Sequence, residues 1–201
     1  MTATSTNLAL FDFDGTISRK DSFLLFIRYV TRFAQFWSGC VRLSPRIAAF
    51  LAGSYPNHNL KEDFLHMFLA GMSRPEVEVK AKQFSQEVLP AILRKKAMES
   101  VRQHQEQGDR VIVVSATPEP VLRPWCARNN LELIATRLEV VDGFLTGRIK
   151  GANCRGREKV RRVKKLLDPR DYAAIFAYGD TEGDLPLLEF ADIARYKPFR
   201  D

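Results

Sequence analysis

Four short apolar segments recur along the chain, and each is followed by polar or turn-forming residues. Nearly continuous apolar sequence is typical of strands that are buried on both faces, so these segments predict a parallel sheet. After residue 110 they alternate with helical patterns, which favours an α/β fold with a Rossmann-like core. The predicted strands are residues 8–13, 110–116, 131–136 and 173–179, followed by a last short strand at 191–196.

Apolar residues spaced three or four apart predict helices between these strands. One helical segment contains Pro90, where we expect a break because proline removes a backbone hydrogen bond. The segment LEVVDGFLTGRIKG predicts a hairpin that turns at Asp142-Gly143. The predicted helices are residues 22–37, 60–70, 75–104, 118–130, 156–167 and 184–190.

The long interval between the first two strands contains helical patterns and no strand-like segment. It therefore predicts a helical domain inserted into the α/β fold. We predict an all-helical cap at residues 18–91 and a catalytic core formed by residues 1–17 and 92–201.

Polar side chains follow the predicted strands. Asp12 and Asp14 end the first strand, Ser115 ends the second, and Asp180 and Asp184 follow the fourth. Ligands of open parallel sheets bind at the carboxyl ends of the strands, so these groups are expected to converge there. The basic helix before the fourth strand adds one further candidate, Lys159.

The residue types in this set suit phosphoryl transfer. An unprotonated Asp12 can attack phosphorus, and Asp14 can move the proton from the same face of the strand. The carboxylates require a cation, and oxygen ligands without His or Cys select Mg²⁺. Ser115 and Lys159 can bind the phosphoryl group. Thr117-Pro118 resembles an N-cap followed by proline, with free amides at the helix start.

Each of these features alone has a simpler interpretation. Asp-Gly-Thr after a strand is often only a turn, and Ser115 alone is typical of a helix entry. Lys159 belongs to a basic cluster at residues 155–165, which is compatible with a solvated surface. Asp180 and Asp184 could cap the next helix. The functional interpretation therefore depends on the joint order of the motifs.

The motifs FDFDGT, VIVVSA, GREKV and YGDTEGD together resemble those of the haloacid dehalogenase-like (HAD) superfamily of aspartyl phosphotransferases. The cap position resembles subfamily IB, which includes phosphoserine phosphatases, and the spacing is closer to a group that includes bacterial phosphatidylglycerophosphatase C. The resemblance implies that Asp12 is the nucleophile and Asp14 the general acid and base. It implies Mg²⁺ bound by Asp12, the Asp14 backbone carbonyl and Asp180, with support from Asp184.

The same resemblance implies that Ser115, Ala116 and Lys159 bind the phosphoryl group, and that Asp21 faces the substrate. The lysine of the third motif usually precedes a glycine, whereas Lys159 follows Gly156, so Arg155 and Arg157 remain alternatives for its role. The motifs around Ser115 and Gly183 also depart from those of phosphoserine phosphatases. The substrate therefore remains open between a small phosphorylated metabolite and a phosphorylated lipid.

Charge and composition narrow the possible partners. Lys plus Arg total 31 against 24 Asp plus Glu, a net charge of +7, which favours anionic ligands. The three scattered cysteines predict neither a zinc site nor a disulfide framework, as expected of a cytoplasmic protein. The segment MTATSTN has no features of a secretion signal, and no apolar run reaches the roughly 18 residues of a membrane span.

The first segment of the predicted cap, residues 21–50, suggests a second kind of partner. Its basic and polar residues recur at helical spacing beside several aromatic residues, which fits either a packed cap helix or a surface that binds anionic membrane. The alternatives are a soluble phosphatase, a peripheral lipid phosphatase at the inner membrane face, a phosphomutase and a nucleic-acid-binding module. The sequence contains no nucleic-acid-binding motif in support of the last. The polar positions are Arg28, Arg32, Gln35, Gly39, Arg42 and Arg46, and the aromatic positions are Phe23, Phe26, Tyr29, Phe33, Phe36 and Trp37.

Overall fold

A computed structural model describes residues 6–200 of the chain. Most of the N-terminal segment for which no secretion signal was predicted, residues 1–5, lies outside this range. The strands are β1 (Leu8–Phe11), β2 (Arg110–Pro118), β3 (Glu132–Thr136), β4 (Leu138–Val141), β5 (Phe144–Ile149), β6 (Ile175–Gly179) and β7 (Ile193–Tyr196). Five of them form a parallel sheet in the order β3-β2-β1-β6-β7, which confirms the predicted α/β fold.

The two faces of the sheet bury different clusters. Ala9 and Phe11 of β1 join the larger cluster with the inserted helices, whereas Leu8 and Leu10 join the smaller cluster on the opposite face. This alternation follows from the two-residue period of a strand, and all four side chains are fully buried. Burial on both faces explains why β1 has no polar residue before Asp12.

The helices differ from the sequence prediction at three places, one of which is the helix Phe33–Leu51, which continues beyond the predicted end at residue 37. The predicted helix 22–37 is two helices, because the backbone is extended at Thr31 and Arg32. At the end of the first helix the Thr31 amide and hydroxyl both donate to the carbonyl of Ile27, at 3.1 and 2.7 Å. The predicted break near Pro90 begins at Val88, and a second break follows at Leu93. The helices are α1 (Ser22–Val30), α2 (Phe33–Leu51), α3 (Asn57–Leu69), α4 (Arg74–Glu87), α5 (Leu89–Ile92), α6 (Lys95–Glu106), α7 (Glu119–Arg128), α8 (Arg157–Leu166) and α9 (Leu185–Phe190).

The connections into and out of the inserted helices are hydrogen-bonded to each other. The Arg19 amide donates to the carbonyl of Ile92 at 2.8 Å, and the Arg94 amide donates to the carbonyl of Ile17 at 2.8 Å. Ser18 and Leu93 form an isolated antiparallel bridge between them. This pairing supports the proposed division into a cap at residues 18–91 and a core.

The β4–β5 hairpin turns at Asp142-Gly143, as predicted, with φ of 50° and 84° at these residues. It contacts the cap through the Ile149 amide, which donates to Glu62 at 2.8 Å. Gly147 has φ of 81°, and a side chain there would collide with the backbone of His66. The hairpin therefore packs against α3 of the cap. No helix within residues 6–200 is long and apolar enough to cross a membrane.

Candidate active site

Three buried carboxylates gather at the carboxyl ends of β1 and β6. Asp12, Asp180 and Asp184 each offer an oxygen atom within 4.8 Å of the others, and all three side chains are buried. Gly15 turns the chain away with φ of 88°, and any side chain there would collide with the carboxylate of Asp180. The sequence prediction that these aspartates lie together is thus reproduced in the geometry.

Lys159 crosses from the first turn of α8 to the same place. Its Nζ donates to Asp12 Oδ1 at 2.5 Å and to Asp184 Oδ1 at 2.6 Å. Burial acts to lower the pKa of Lys159, but the charges of Asp12 and Asp184 raise it above its usual value. Burial raises the pKa of Asp12 to about 7, although Lys159 opposes this change. The site thus holds a charged ammonium group in direct contact with two carboxylates.

The other two carboxylates are held by their own neighbours. Asp184 Oδ2 accepts hydrogen bonds from the Thr181 hydroxyl at 2.7 Å and the Thr181 amide at 3.0 Å. The Asp184 pKa is lowered despite burial, because Lys159 and these donors favour the carboxylate form. Asp180 accepts from the Thr16 hydroxyl at 3.3 Å and contacts the guanidinium of Arg200. Asp184 is therefore held in its carboxylate form, and both side chains are fixed close to Asp12.

Asp14 lies apart from this cluster, on the side toward the cap. It accepts from the Ser22 amide at 2.7 Å and from the Thr117 hydroxyl at 2.5 Å. Burial raises the pKa of Asp14 to about 6, and the charge of Asp21 acts in the same direction. A carboxyl group with a pKa in this range can both give and take a proton near neutral pH.

The predicted N-cap at Thr117 was wrong. β2 continues to Pro118, and Pro118 occupies the N-cap position of α7 without a side-chain hydrogen bond. The Thr117 hydroxyl instead binds Asp14, which lies across the site. The pattern Thr-Pro is ambiguous because a strand and an N-cap both hold threonine in the extended region.

The second motif lines the cavity as predicted. Ser115 is buried, and its hydroxyl accepts from the Thr117 amide at 3.1 Å. The pairing of β2 with β3 shifts register after Ser115, so the chain departs from the sheet here. Ala116 also lines the cavity, and its carbonyl accepts from the Thr136 hydroxyl at 2.7 Å.

A cavity of about 290 Å³ is lined by Asp12, Asp14 and Asp184, and the cap supplies part of its wall. Phe23, Asn57 and Lys61 line it from the cap, and the exposed Asp21 lies at its edge. Lys61 Nζ donates to the Ala116 carbonyl at 2.8 Å and to Asn153 at 3.2 Å. Burial lowers the pKa of Lys61 to about 8, and the negative charges of Asp21 and Asp14 oppose this effect.

Sequence reasoning missed Lys61, although the sequence contains a signal for it. Lys61 precedes Phe64, Leu65 and Phe68 at helical spacing, so it lies on the buried face of α3. Of the two arginines considered for the third motif, Arg155 lines the cavity and Arg157 does not. Of these three candidates, Lys159 is the one that contacts Asp12 and Asp184.

A hard divalent cation fits this donor set. The clustered groups are carboxylate oxygens, and the described part of the chain brings no histidine or thiol into the cluster. Three buried carboxylates outnumber the two cationic groups that contact them, Lys159 and Arg200. Asp12, Asp180 and Asp184 are therefore the groups that would hold a cation such as Mg²⁺, with the Asp14 backbone carbonyl as the further ligand implied by the sequence motif.

Several curated relatives match most of the chain. Protein CicA of Caulobacter vibrioides is 35% identical over 196 residues, which cover 96% of this chain and 86% of the relative. A histidinol-phosphatase of Neisseria meningitidis is 31% identical, with 90% of this chain and 86% of the relative covered. The alignments therefore include both the core and the cap segments.

Solved structures share the same architecture. A protein of unknown function from Bordetella pertussis Tohama I has a TM-score of 0.84 and 30% identity, and covers 96% of this chain and 89% of its own. A substrate-bound phosphoserine phosphatase has a TM-score of 0.68 and 19% identity, with 95% and 85% covered. The second likeness shows the fold alone.

The family model described as haloacid dehalogenase-like hydrolase matches residues 9–189, which contain all four motifs and the cap. The resemblance identified from FDFDGT, VIVVSA, GREKV and YGDTEGD is thereby confirmed, as is the predicted enzyme class, a HAD-type phosphatase. This chain belongs to the haloacid dehalogenase-like hydrolase family.

Proposed function

We propose that this protein is a Mg²⁺-dependent phosphomonoesterase that works through an aspartyl-phosphate at Asp12. The observation that carries the proposal is the contact of Lys159 with Asp12 and Asp184 beside Asp180, at the carboxyl ends of the strands. Bound Mg²⁺ would neutralise charge on the transferred phosphoryl group and orient it toward the nucleophile.

The residues of the chain divide the reaction into two displacements. An Asp12 oxygen attacks phosphorus while the bond to the leaving oxygen breaks, and Asp14 donates its proton to that oxygen. Asp14 then accepts a proton from water, the water oxygen attacks phosphorus, and the bond to Asp12 breaks to release phosphate. Ser115 and Lys159 would bind the phosphoryl oxygens in both steps.

We further propose a phosphate ester of a 2-amino alcohol as the substrate class. The relative named histidinol-phosphatase and the structural neighbour named phosphoserine phosphatase have substrates of this kind in common. Asp21, at the edge of the cavity, supplies a carboxylate for the ammonium group of such a substrate. Lys61 would favour a substrate that also carries a carboxylate.

The test is Mg²⁺-dependent phosphate release from phosphoserine, histidinol phosphate, other small phosphomonoesters and micellar phosphatidylglycerophosphate. Asp12→Asn should abolish release and the phosphorylated protein seen by mass spectrometry after acid quench. Asp171→Asn, a change of an exposed aspartate outside the cavity, serves as the matched control. Appreciable turnover by Asp12→Asn would refute the nucleophile assignment. Release from phosphatidylglycerophosphate alone would replace the amino-alcohol proposal with the lipid one.

A peripheral lipid phosphatase is the second candidate, and the surface of α2 supports it. Phe33, Trp37 and Val41 succeed each other at four-residue steps and are 65%, 52% and 71% exposed. Arg28 lies over the ring of Phe33 at 5.1 Å. Packing explains other positions of the segment: Gly39 is buried, and a side chain there would meet Phe68.

Vesicle co-sedimentation tests this candidate. Wild type should sediment with anionic vesicles and less with neutral ones, and Phe33→Ser/Trp37→Ser should remain in solution. Val79→Ser, which changes an exposed apolar residue of α4, is the control. Lack of sedimentation with anionic vesicles would reject the membrane surface. The location we propose is the cytoplasm, at the inner membrane face if this second candidate holds.

A further inference from the structure

A second cavity, of about 570 Å³, lies between the cap and the core. It shares no lining residue with the cavity over the carboxylates. Its walls come from α4 of the cap, α7 of the core and the β4–β5 hairpin, and we call it the α4–α7 groove. A volume in this range accommodates a small organic ligand.

The lining of the α4–α7 groove is strongly basic around an aliphatic floor. The floor includes the buried Val77 and Leu145 together with Pro124. Two acidic residues, Glu78 and Glu119, are outnumbered by six basic ones. These are Arg74, Lys82, Arg123, Arg128, Arg137 and Lys150.

The acidic residues of the groove are already neutralised. Arg74 donates to Glu78 at 2.8 Å, and Arg123 contacts Glu119. Among the described residues, the ammonium groups of Lys82 and Lys150 have no hydrogen-bond or ion-pair partner. The groove therefore has uncompensated positive charge beside its apolar floor.

The described residues that line the groove include no aromatic side chain, which indicates the chemical nature of the apolar part of the ligand. A nucleobase would stack on aromatic rings, whereas an alkyl chain packs against valine, leucine and proline. We propose that the α4–α7 groove binds a single-chain aliphatic anion of the fatty-acid type. The alkyl chain lies on the floor, and the carboxylate faces Lys82 and Lys150. Such a ligand would contact the cap and the core at once.

Isothermal titration of the full chain with decanoate tests this proposal, with decyltrimethylammonium and acetate as comparison ligands. Decanoate should bind saturably at one site, acetate should not bind because it lacks the chain, and the cationic amphiphile should bind at least tenfold more weakly. Lys82→Gln/Lys150→Gln should weaken decanoate binding at least tenfold. Ala127→Trp, a change at an exposed position of the lining, should block the floor and reduce binding similarly.

The matched control is Lys80→Gln/Lys165→Gln, which removes the same charge from positions outside the groove. It should bind decanoate like wild type. Equal weakening by the control pair would show a general charge effect and overturn the site. Equal binding of the cationic amphiphile, or no saturable binding of decanoate, would overturn it as well.

Discussion

At the scale of residues, the carboxylates of the site differ in the set of groups that they contact. Asp12 faces an ammonium group, Asp184 faces an ammonium group and two donors of Thr181, and Asp14 faces an amide and a hydroxyl but no cation. Burial raises the pKa of both Asp12 and Asp14, and it is opposed by Lys159 at Asp12 and by hydrogen bonds from Ser22 and Thr117 at Asp14. This difference supports separate tasks for Asp12 and Asp14 although only one residue lies between them.

The proposed proton transfer by Asp14 gives the first residue-scale prediction. Asp14→Asn should lower kcat for alkyl phosphates by about 10²–10⁴-fold, because a poor leaving group needs the proton. Aryl phosphates, whose leaving groups depart as anions, should lose much less. Steady-state kinetics with an aryl and an alkyl phosphate compares the two. Equal losses would remove Asp14 from the role of acid.

Lys61 gives the second prediction at the scale of residues. Lys61→Met should raise KM for phosphoserine about tenfold, because the ammonium group would no longer face the substrate carboxylate. For a phosphomonoester without a carboxylate, KM should change less. Lys80→Met, which removes a cap lysine outside the cavity, controls for net charge. An equal rise in KM for both substrates would assign Lys61 only to holding the Ala116 carbonyl.

At the scale of elements, local sequence predicted the types of most elements and failed where a side chain decides the boundary. The apolar pattern of α1 continues past Thr31, but the Thr31 hydroxyl binds the Ile27 carbonyl and the helix ends there. α2 then runs through Pro45, which a sequence pattern takes as a helix end. Thr117 likewise binds across the site to Asp14, and only the tertiary fold brings that partner near.

The contact between α2 and α3 yields a prediction for the cap. Gly39→Val should destabilise the protein by about 1–3 kcal/mol, because the added side chain meets the buried ring of Phe68. Urea denaturation measures the change. Ser38→Val, at the adjacent exposed position, should cost less than about 0.5 kcal/mol. Equal effects would contradict the packing contact, because valine is a better helix former than glycine and propensity alone would not lower the stability.

At the scale of the whole molecule, the chain order of the motifs was enough to predict the sheet, the meeting of Asp12, Asp180 and Asp184 at its edge, and an inserted cap. The contacts that the cap makes with the core were not predictable from the sequence. Lys61 reaches the Ala116 carbonyl only because α3 folds over the core, and the α4–α7 groove exists only between two parts distant in sequence. Such contacts depend on tertiary placement, which apolar periodicity does not encode.

Acid stability gives a prediction for the molecule as a whole. Hydrogen bonds from Arg161, then Arg162, lower the pKa of Glu158 to about 2 from its ordinary value of 4.5. Glu158 therefore stabilises the folded state above pH 4.5, and this contribution disappears as the pH falls toward 2. Glu158→Gln should show a smaller decrease in the free energy of unfolding across this interval. Urea titrations from pH 5 to 2.5 compare it with wild type, and parallel curves would contradict the prediction.

The hydrogen-bonded connections at residues 17–19 and 92–94 have a consequence for folding. β1 and β2 are sequential strands of the sheet, yet residues 12–109 separate them. Closing so long a loop costs conformational entropy that grows with the logarithm of its length. If the helical insertion collapses first, its paired ends bring the strands together and the remaining search is short. We expect the insertion to be structured in the rate-limiting step, so that Gly39→Val slows refolding more than it speeds unfolding.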